Sequence, residues 1–402
     1  MKIFDTMLLV LTYRSFTKVN AFTHQTPALR VHHRYFSIST TSSSSSIRTT
    51  ALFAAEKARI LFLGTPDVAA TSLTRLVSES KKESSTYEII GVVTQPPKRR
   101  KRKGKEIPSP VGITAEELDI PVLTPEKISR NEEFLTELEE IYKPDLCITA
   151  AYGQYLPKRF LKIPKFGTLN IHPSLLPRWR GASPVQRSLE AGDNPVGVSV
   201  LFTVSKMDAG PIVKQVECEI DENDDATKLL PDLFDIGNDL LVDVLQDVIE
   251  GKITMDNALV QDEEKIVNAD MIDSSEGELF VWRDSARSCH NKVRGFSMWP
   301  GTFIYVQVGD DQDVEPVKMK IIKSRVLQLQ EDEDGGELTD EIVLGPNKKD
   351  GLRVVCGDGS ILELLEVQPV TRKAMDAKSF VNGLRGEVIR WVKMPEPVLV
   401  EE

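Results

Sequence analysis

Ile60-Leu61-Phe62-Leu63 is an unbroken apolar run closed by Gly64-Thr65-Pro66-Asp67, and a helical pattern through Val68, Leu73, Leu76 and Val77 follows it. Residues 89–93, 146–150 and 198–202 are further apolar runs, separated by stretches of helical spacing. Unbroken runs of this kind suit strands buried on both faces. Their alternation with helices predicts an α/β fold: a doubly wound parallel sheet with helices on either side. The first turn is not a G-x-G-x-x-G loop, so the sheet does not imply a dinucleotide. Residues 227–249 alternate apolar and acidic positions at helical spacing and close this unit. From Leu279 the texture changes to short β-rich runs at 303–306, 319–322, 352–355 and 361–365, which predict a small β-barrel. Asp310-Asp311 and residues 331–337 look like solvated insertions. The predicted layout is a first domain over 56–250, a linker over 251–274 and a barrel domain over 275–402.

The segment 1–55 has a different character. It carries Lys2, Arg14, Lys18, Arg30, Arg34 and Arg48 against one acid, Asp5, and a serine run over 42–46 that cannot build a core. Basic, Ser-rich and acid-poor is the composition of an organelle transit peptide. The Arg34-Tyr35-Phe36-Ser37 stretch resembles mitochondrial processing sites, while Asn20-Ala21-Phe22 resembles part of plastid leaders. The expected destination is the mitochondrion, with the plastid as the alternative. The apolar run 7–11 leaves a short signal-peptide core open as well.

In a chain of 402 residues the net charge is −11, from 50 Lys+Arg and 61 Asp+Glu, so a nucleic-acid partner has to be sought in local charge. Nothing approaches the roughly 20 apolar residues that span a membrane. Cys147, Cys218, Cys289 and Cys356 are far apart, which supports neither a zinc ribbon nor a disulfide framework. No metal-like cluster is present, and the chain is expected to be a monomer.

Five histidines are present, and His24, His32 and His33 fall in the leader, leaving His172 and His290. Chemistry that needs a group titrating near neutrality turns first to histidine. His172 stands in Leu169-Asn170-Ile171-His172-Pro173-Ser174-Leu175-Leu176-Pro177-Arg178-Trp179-Arg180-Gly181-Ala182. In an extended stretch Asn170 and His172 share one side, and strand ends of such sheets are where ligands bind. An amide can hold a developing oxyanion while an imidazole moves a proton. Asp208, just past a strand and in Met207-Asp208-Ala209-Gly210, is a candidate third member; taken alone it also reads as an ordinary turn residue.

The constellation Asn170-x-His172-Pro-Ser-Leu-Leu-Pro, with Asp208 in a Met-Asp-x-Gly setting, resembles the active site of the folate-dependent formyltransferases over about 330 residues. The resemblance implies a Rossmann-like formyltransferase domain and an OB-like barrel. It implies catalytic roles for Asn170, His172 and Asp208. It also implies folate contacts along Ser174, Leu175, Leu176 and Pro177, with the Ala151-Tyr152-Gly153 turn lining the pterin pocket. The co-substrate it implies is 10-formyltetrahydrofolate, with no metal.

Three features are similar to the branch of that family acting on methionyl initiator tRNA. One is the stretch 177–187 together with Leu63-Gly64-Thr65-Pro66-Asp67. Another is the C-terminal Val354-Val355-Cys356-Gly357-Asp358-Gly359. The third is Lys98-Arg99-Arg100-Lys101-Arg102-Lys103-Gly104-Lys105, seven cations in eight positions of an acidic chain. Flanking prolines predict an exposed loop there, and mutually repelling cations make poor core and a good polyanion contact. The resemblance makes Arg99, Arg100, Arg102, Lys103 and Lys105 tRNA contacts, although the counterpart of the family's Gly-Arg-Gly-Lys setting is Arg102-Lys103-Gly104-Lys105 in this chain, with Lys101 in place of the glycine that flanks the arginine. The competing readings are a relative acting on a small amine such as a nucleotide sugar, which needs no basic loop, and an inactive RNA-binding protein on the same fold.

Overall fold

The structure is a computed structural model that describes residues 56–99, 104–309, 314–328 and 338–395. The expected leader over 1–55, the basic residues Arg100, Arg102 and Lys103, and both acidic insertions lie outside the described residues. Those from Lys57 onward belong to one compact unit.

The first half runs β1 (Ala58–Gly64), α1 (Asp67–Ser80), β2 (Tyr87–Val93), a small hairpin of β3 (Lys98–Arg99) and β4 (Glu106–Ile107), and α2 (Pro110–Glu117). It continues through β5 (Val122–Leu123), α3 (Glu132–Glu137), β6 (Leu146–Ala150), α4 (Lys158–Leu161), β7 (Thr168–His172) and β8 (Arg178–Gly181). Then come α5 (Pro184–Ala191), β9 (Val196–Phe202), β10 (Ile212–Cys218) and α6 (Ala226–Ile249). Helix starts follow local chemistry: the Ser109 hydroxyl accepts from the Gly112 amide with Pro110 next to it, and the Asp225 carboxylate accepts from the Lys228 amide.

The main sheet has the order β10-β9-β7-β6-β1-β2-β5. Strands β7, β6, β1, β2 and β5 are mutually parallel, as the alternation predicts. Strand β9 is antiparallel to β7. The connection through α5 returns the chain to the end of the sheet at which β7 left it.

Alternate side chains sort onto two faces. On one face Ile60, Phe62, Leu146, Ile148, Leu169, Ile171, Val198 and Val200 join α6 in the larger core. On the other, Leu61, Leu63 and Cys147 pack with Phe134, Leu138 and Phe160. Helix α6 lies very close beneath β7 and β9. A Cβ at Gly237 would come within 2.6 Å of Ile171 Cγ2 and 2.9 Å of Val198 Cγ2, so only glycine admits this approach.

The second half holds β11 (Val267–Ala269), α7 (Ala286–Gly295), β12 (Thr302–Val308), β13 (Val317–Leu327), β14 (Val343–Leu344), β15 (Leu352–Val355), β16 (Ile361–Pro369), β17 (Met375–Asp376), α8 (Ala377–Leu384) and β18 (Ile389–Trp391). Strands β14-β15-β16-β13-β12-β18 form an antiparallel sheet. Its two ends meet where the Ile342 amide donates to Ile389 and the Trp391 amide to Asp340, both at 2.9 Å, so the sheet nearly closes into the expected barrel. Ile304, Met319, Ile321, Leu362 and Leu364 fill its interior.

Residues 251–274, expected as a linker, are docked. Leu259 exchanges backbone hydrogen bonds with Ile212, and β11 pairs in parallel with β8. Among the described residues no helix is long and apolar enough to cross a membrane.

The two halves meet where α5 crosses α7 at backbone contact, a Cβ at Gly295 falling 2.8 Å from the Gln186 carbonyl. Buried His290 spans the same junction, with Nδ1 2.9 Å from Ser324 Oγ and Nε2 3.1 Å from the Glu222 carbonyl. Burial, helped by Arg294 and Arg287, pushes its pKa below the ordinary value despite the opposing pull of Glu222. A histidine depressed in this way stabilises the fold above its unfolded pKa near 6.5, and that contribution is lost as the pH falls below it. Urea unfolding at pH 7.5 and 5.5 should therefore show a smaller acid-induced loss of stability in His290→Gln than in the wild type. Equal losses would remove His290 as a source of acid sensitivity.

Candidate active site

The second face of the sheet changes character at its β7–β9 side. Next to Leu61 and Leu63 it is apolar and covered, but β6, β7 and β9 there offer Thr149, Asn170, His172 and Ser199. The strand register sets Thr149 beside Asn170 and His172 beside Ser199. Leu169 and Ile171 are held in the opposite core, which fixes the way Asn170 and His172 point.

Asn170 is half-buried at the end of the sheet. The hydroxyl of buried Thr149 lies 2.7 Å from its Oδ1 and 3.1 Å from the Leu169 carbonyl. Donation along the shorter contact ties down the amide oxygen and leaves Nδ2, with two hydrogens, to face outward.

His172 is buried, and its Nε2 is 2.8 Å from the Trp179 carbonyl. A carbonyl only accepts, so Nε2 carries the hydrogen. In the neutral ring Nδ1 is then the atom with a lone pair. Nδ1 lies 3.7 Å from Asp208 Oδ2, and the same oxygen accepts from the Gly181 amide at 3.0 Å. The predicted trio is thus arranged as two strand neighbours and a carboxylate that reaches them from elsewhere in the chain.

Asp208 arrives by an unexpected route. Strand β9 is antiparallel, so its end, Phe202, pairs with Leu169 at the far side of β7 from His172. The turn 203–211 brings the carboxylate to the imidazole, with Asp208 in the left-handed region at φ +47°. Few non-glycine residues occupy that region without outside restraint.

The segment 173–181 folds over the site as a fastened loop. The Ser174 hydroxyl donates to the Arg178 carbonyl. The Leu176 amide donates to Ser199 Oγ, and the Leu176 carbonyl accepts from Gln215. Arg178 makes a two-pronged ion pair with Asp193 at 2.7 and 2.8 Å, and the Trp179 indole donates to the same carboxylate at 2.6 Å. That pairing raises the Arg178 pKa above its ordinary value. Trp179 holds φ +68° and Gly181 φ +135°, where a Cβ at Gly181 would strike the Ala269 carbonyl at 2.5 Å.

Of the residues expected at the folate, Ser174 and Leu176 are buried and committed to the loop, Leu176 within a small cluster with Leu201 and Ile212. Leu175 and Pro177 are partly exposed. Beside them the turn after β6 has Ala151 at φ +45° and Gly153 at φ +81°. Thr65 ties down the Tyr152 carbonyl at 2.9 Å. A Cβ at Gly153 would meet nothing within 4 Å, so the turn is open on that side.

Arg99 and Lys105 are exposed in and beside the β3–β4 hairpin, with Arg99 Nε 3.3 Å from Glu106. Lys98–Arg99 and Glu106–Ile107 pair as a short hairpin at the two ends of the basic run.

Thr149, Ser199 and Gln261 touch the site and were not singled out from the sequence. A lone threonine or serine inside an apolar run, as in Leu146-Cys147-Ile148-Thr149-Ala150, was a usable signal; Gln261 gave none.

The formyl transferase family model matches residues 58–245, and the model of the formyl transferase C-terminal domain matches residues 272–385. The chain is 36% identical over 327 residues to the methionyl-tRNA formyltransferase of Listeria monocytogenes serotype 4b, covering 81% of this chain and 95% of that relative. With the Bacillus subtilis methionyl-tRNA formyltransferase it shares 35% identity over 329 residues, 82% of this chain and 96% of the relative. Among solved structures, a sugar 3N-formyl transferase crystallised with dTDP and 5-N-formyl-THF superposes with a TM-score of 0.54 at 18% identity, over 79% of this chain and 100% of that one. An N-formyltransferase from Helicobacter canadensis in complex with folinic acid and dTDP-3-aminofucose gives 0.52 at 17% identity, over 78% and 99%. These two structural likenesses speak for the fold.

Proposed function

The chain belongs to the methionyl-tRNA formyltransferase family and is a formyl-transferring enzyme; from that premise we propose that it moves the formyl group of 10-formyltetrahydrofolate to the α-amino group of methionyl initiator tRNA. The observation that carries the chemistry is the contact of His172 Nε2 with the Trp179 carbonyl, which leaves Nδ1 turned to Asp208 beside Asn170.

Bound against the turn 151–153 and the loop 173–177, the folate supplies a formyl group attached to nitrogen. The protein's part is to position and to move a proton. An α-amino group has an ordinary pKa near 7.7–8.0, so a useful fraction of the acceptor is neutral without help. His172 takes the acceptor's proton at Nδ1, because Nε2 is engaged by Trp179. The Asp208 carboxylate balances the positive charge that this leaves on the ring. Asn170 Nδ2 donates to oxygen that gains negative charge as the acceptor attacks, worth about 3 kcal/mol for one well-placed donor. The bond from the formyl carbon to the folate nitrogen then breaks, and that nitrogen leaves with the proton held at His172 Nδ1.

The acceptor is assigned from the full-length sequence relatives and from the basic run at 98–105. Arg99 and Lys105 stand exposed at its two ends, and Arg100, Arg102 and Lys103 lie between them in the sequence. The enzyme acts as a monomer, and residues 1–55 direct it to an organelle, the mitochondrion before the plastid, where it serves translation initiation.

The direct test is transfer of labelled formyl from 10-formyltetrahydrofolate to methionyl initiator tRNA by the purified protein. Asn170→Ala, His172→Ala and Asp208→Ala should each lose most of the activity while staying folded, and their losses should not add. A folded His172→Ala with near wild-type turnover would overturn the proton-transfer role.

Neutralising Arg99, Arg100, Arg102 and Lys103 should raise KM for tRNA and flatten its salt dependence by about 0.7–0.9 in log–log slope for each phosphate no longer neutralised. Folate KM should stay unchanged. Unaltered tRNA kinetics at every salt concentration would instead favour a small amine acceptor.

A further inference from the structure

We propose that Gln261, in the segment that joins the two domains, is a positioning residue that holds Asp208 in its working geometry. Asp208 occupies left-handed backbone and lies in a turn between antiparallel strands. Without outside restraint such a residue relaxes to the right-handed or extended region, and its carboxylate moves with it. Gln261 supplies the restraint. It is buried, and its Nε2 donates to the Asp208 carbonyl at 2.8 Å and to the Gly210 carbonyl at 2.7 Å, spanning the turn on both sides of Ala209. Its Oε1 accepts from Arg180 Nε at 2.9 Å, so all of its amide capacity except one lone pair is in use.

Arg180 adjoins Gly181, whose amide holds the Asp208 carboxylate. The backbone and the carboxylate of Asp208 are therefore tied to one short stretch of chain, directly through Gly181 and indirectly through Gln261 and Arg180. That stretch is itself anchored by the pairing of β8 with β11; the 3.0 Å contact of Arg180 Nη1 with exposed Glu263 is separate from the Nε bond to Gln261. The joining segment is thus a component of the site, and its contact with Asp208 acts through the carboxylate's aim at His172 Nδ1. The inference rests on the reading of Asp208 as the partner of His172.

The test is Gln261→Met, close in size and without amide hydrogen bonds, in the full-length protein under single-turnover conditions. The turnover rate should fall about 10- to 100-fold, as expected for a misplaced catalytic group, while KM for tRNA and for folate stays near the wild-type value. In an Asp208→Ala background the same substitution should cost nothing further, because there is no carboxylate left to aim. Glu263→Gln, which weakens the ion pair to Arg180 but leaves the Gln261 contacts, should keep the wild-type rate.

An unchanged rate in folded Gln261→Met would overturn the proposal. So would an equal proportional loss in the Asp208→Ala background, or a loss from Glu263→Gln matching that of Gln261→Met. Should the methionine variant not fold, Gln261→Asn, whose amide stops one methylene short, is read by the same comparisons. Full activity in Asp208→Ala would sink the underlying catalytic reading. An inactive Asp208→Ala beside a fully active Gln261→Met would sink the positioning role alone.

Discussion

Strand β7 is five residues long, and Leu169 and Ile171 are locked into the core above α6 at a helix–sheet distance that only Gly237 permits. Period-two geometry then leaves Asn170 and His172 no choice of side. They emerge where the apolar cover of the second face gives out, next to Thr149 and Ser199. Everything else at the site is an attachment to that pair. The loop 173–181 supplies a carbonyl that fixes the His172 tautomer. The turn 203–211 supplies the carboxylate, and the segment 251–274 holds the turn and loop together. A core decision made by two aliphatic side chains is converted in this way into the orientation of two polar ones.

Much of this was legible in the chain. Apolar runs located β1, β2, β6 and β9, and helical spacing located α6 to within a residue of its observed start. Asn170 and His172 could be paired from their i, i+2 spacing alone. The direction of β9 could not be read, because an apolar run has the same appearance in either direction. The role of Asp208 was decided by resemblance, and it reaches His172 through the turn 203–211 because β9 runs antiparallel to β7. Gln261 was invisible because its role depends on two carbonyls 51 and 53 residues away, a relation with no local signature.

The docked joining segment changes how the two-domain layout is understood. A free linker would let the barrel and the sheet move independently. Here backbone pairing at Leu259 and β11, the α5–α7 crossing and His290 attach the second half to the first. Arg187 adds a two-pronged pair to Glu276 at 2.8 and 3.0 Å. The barrel and the end of β7 are therefore held in a fixed relation.

The central claim is spatial: transfer takes place at the end of β7, between Asn170 Nδ2 and His172 Nδ1. A crystal structure of the protein with a non-transferable 10-formyltetrahydrofolate analogue tests it most directly. The account predicts the formyl group within hydrogen-bond reach of Asn170 Nδ2, with the pterin ring against the turn 151–153. An analogue bound instead in the shallow groove lined by Asp67, Thr71, Thr74 and Arg75, away from β7, would contradict it.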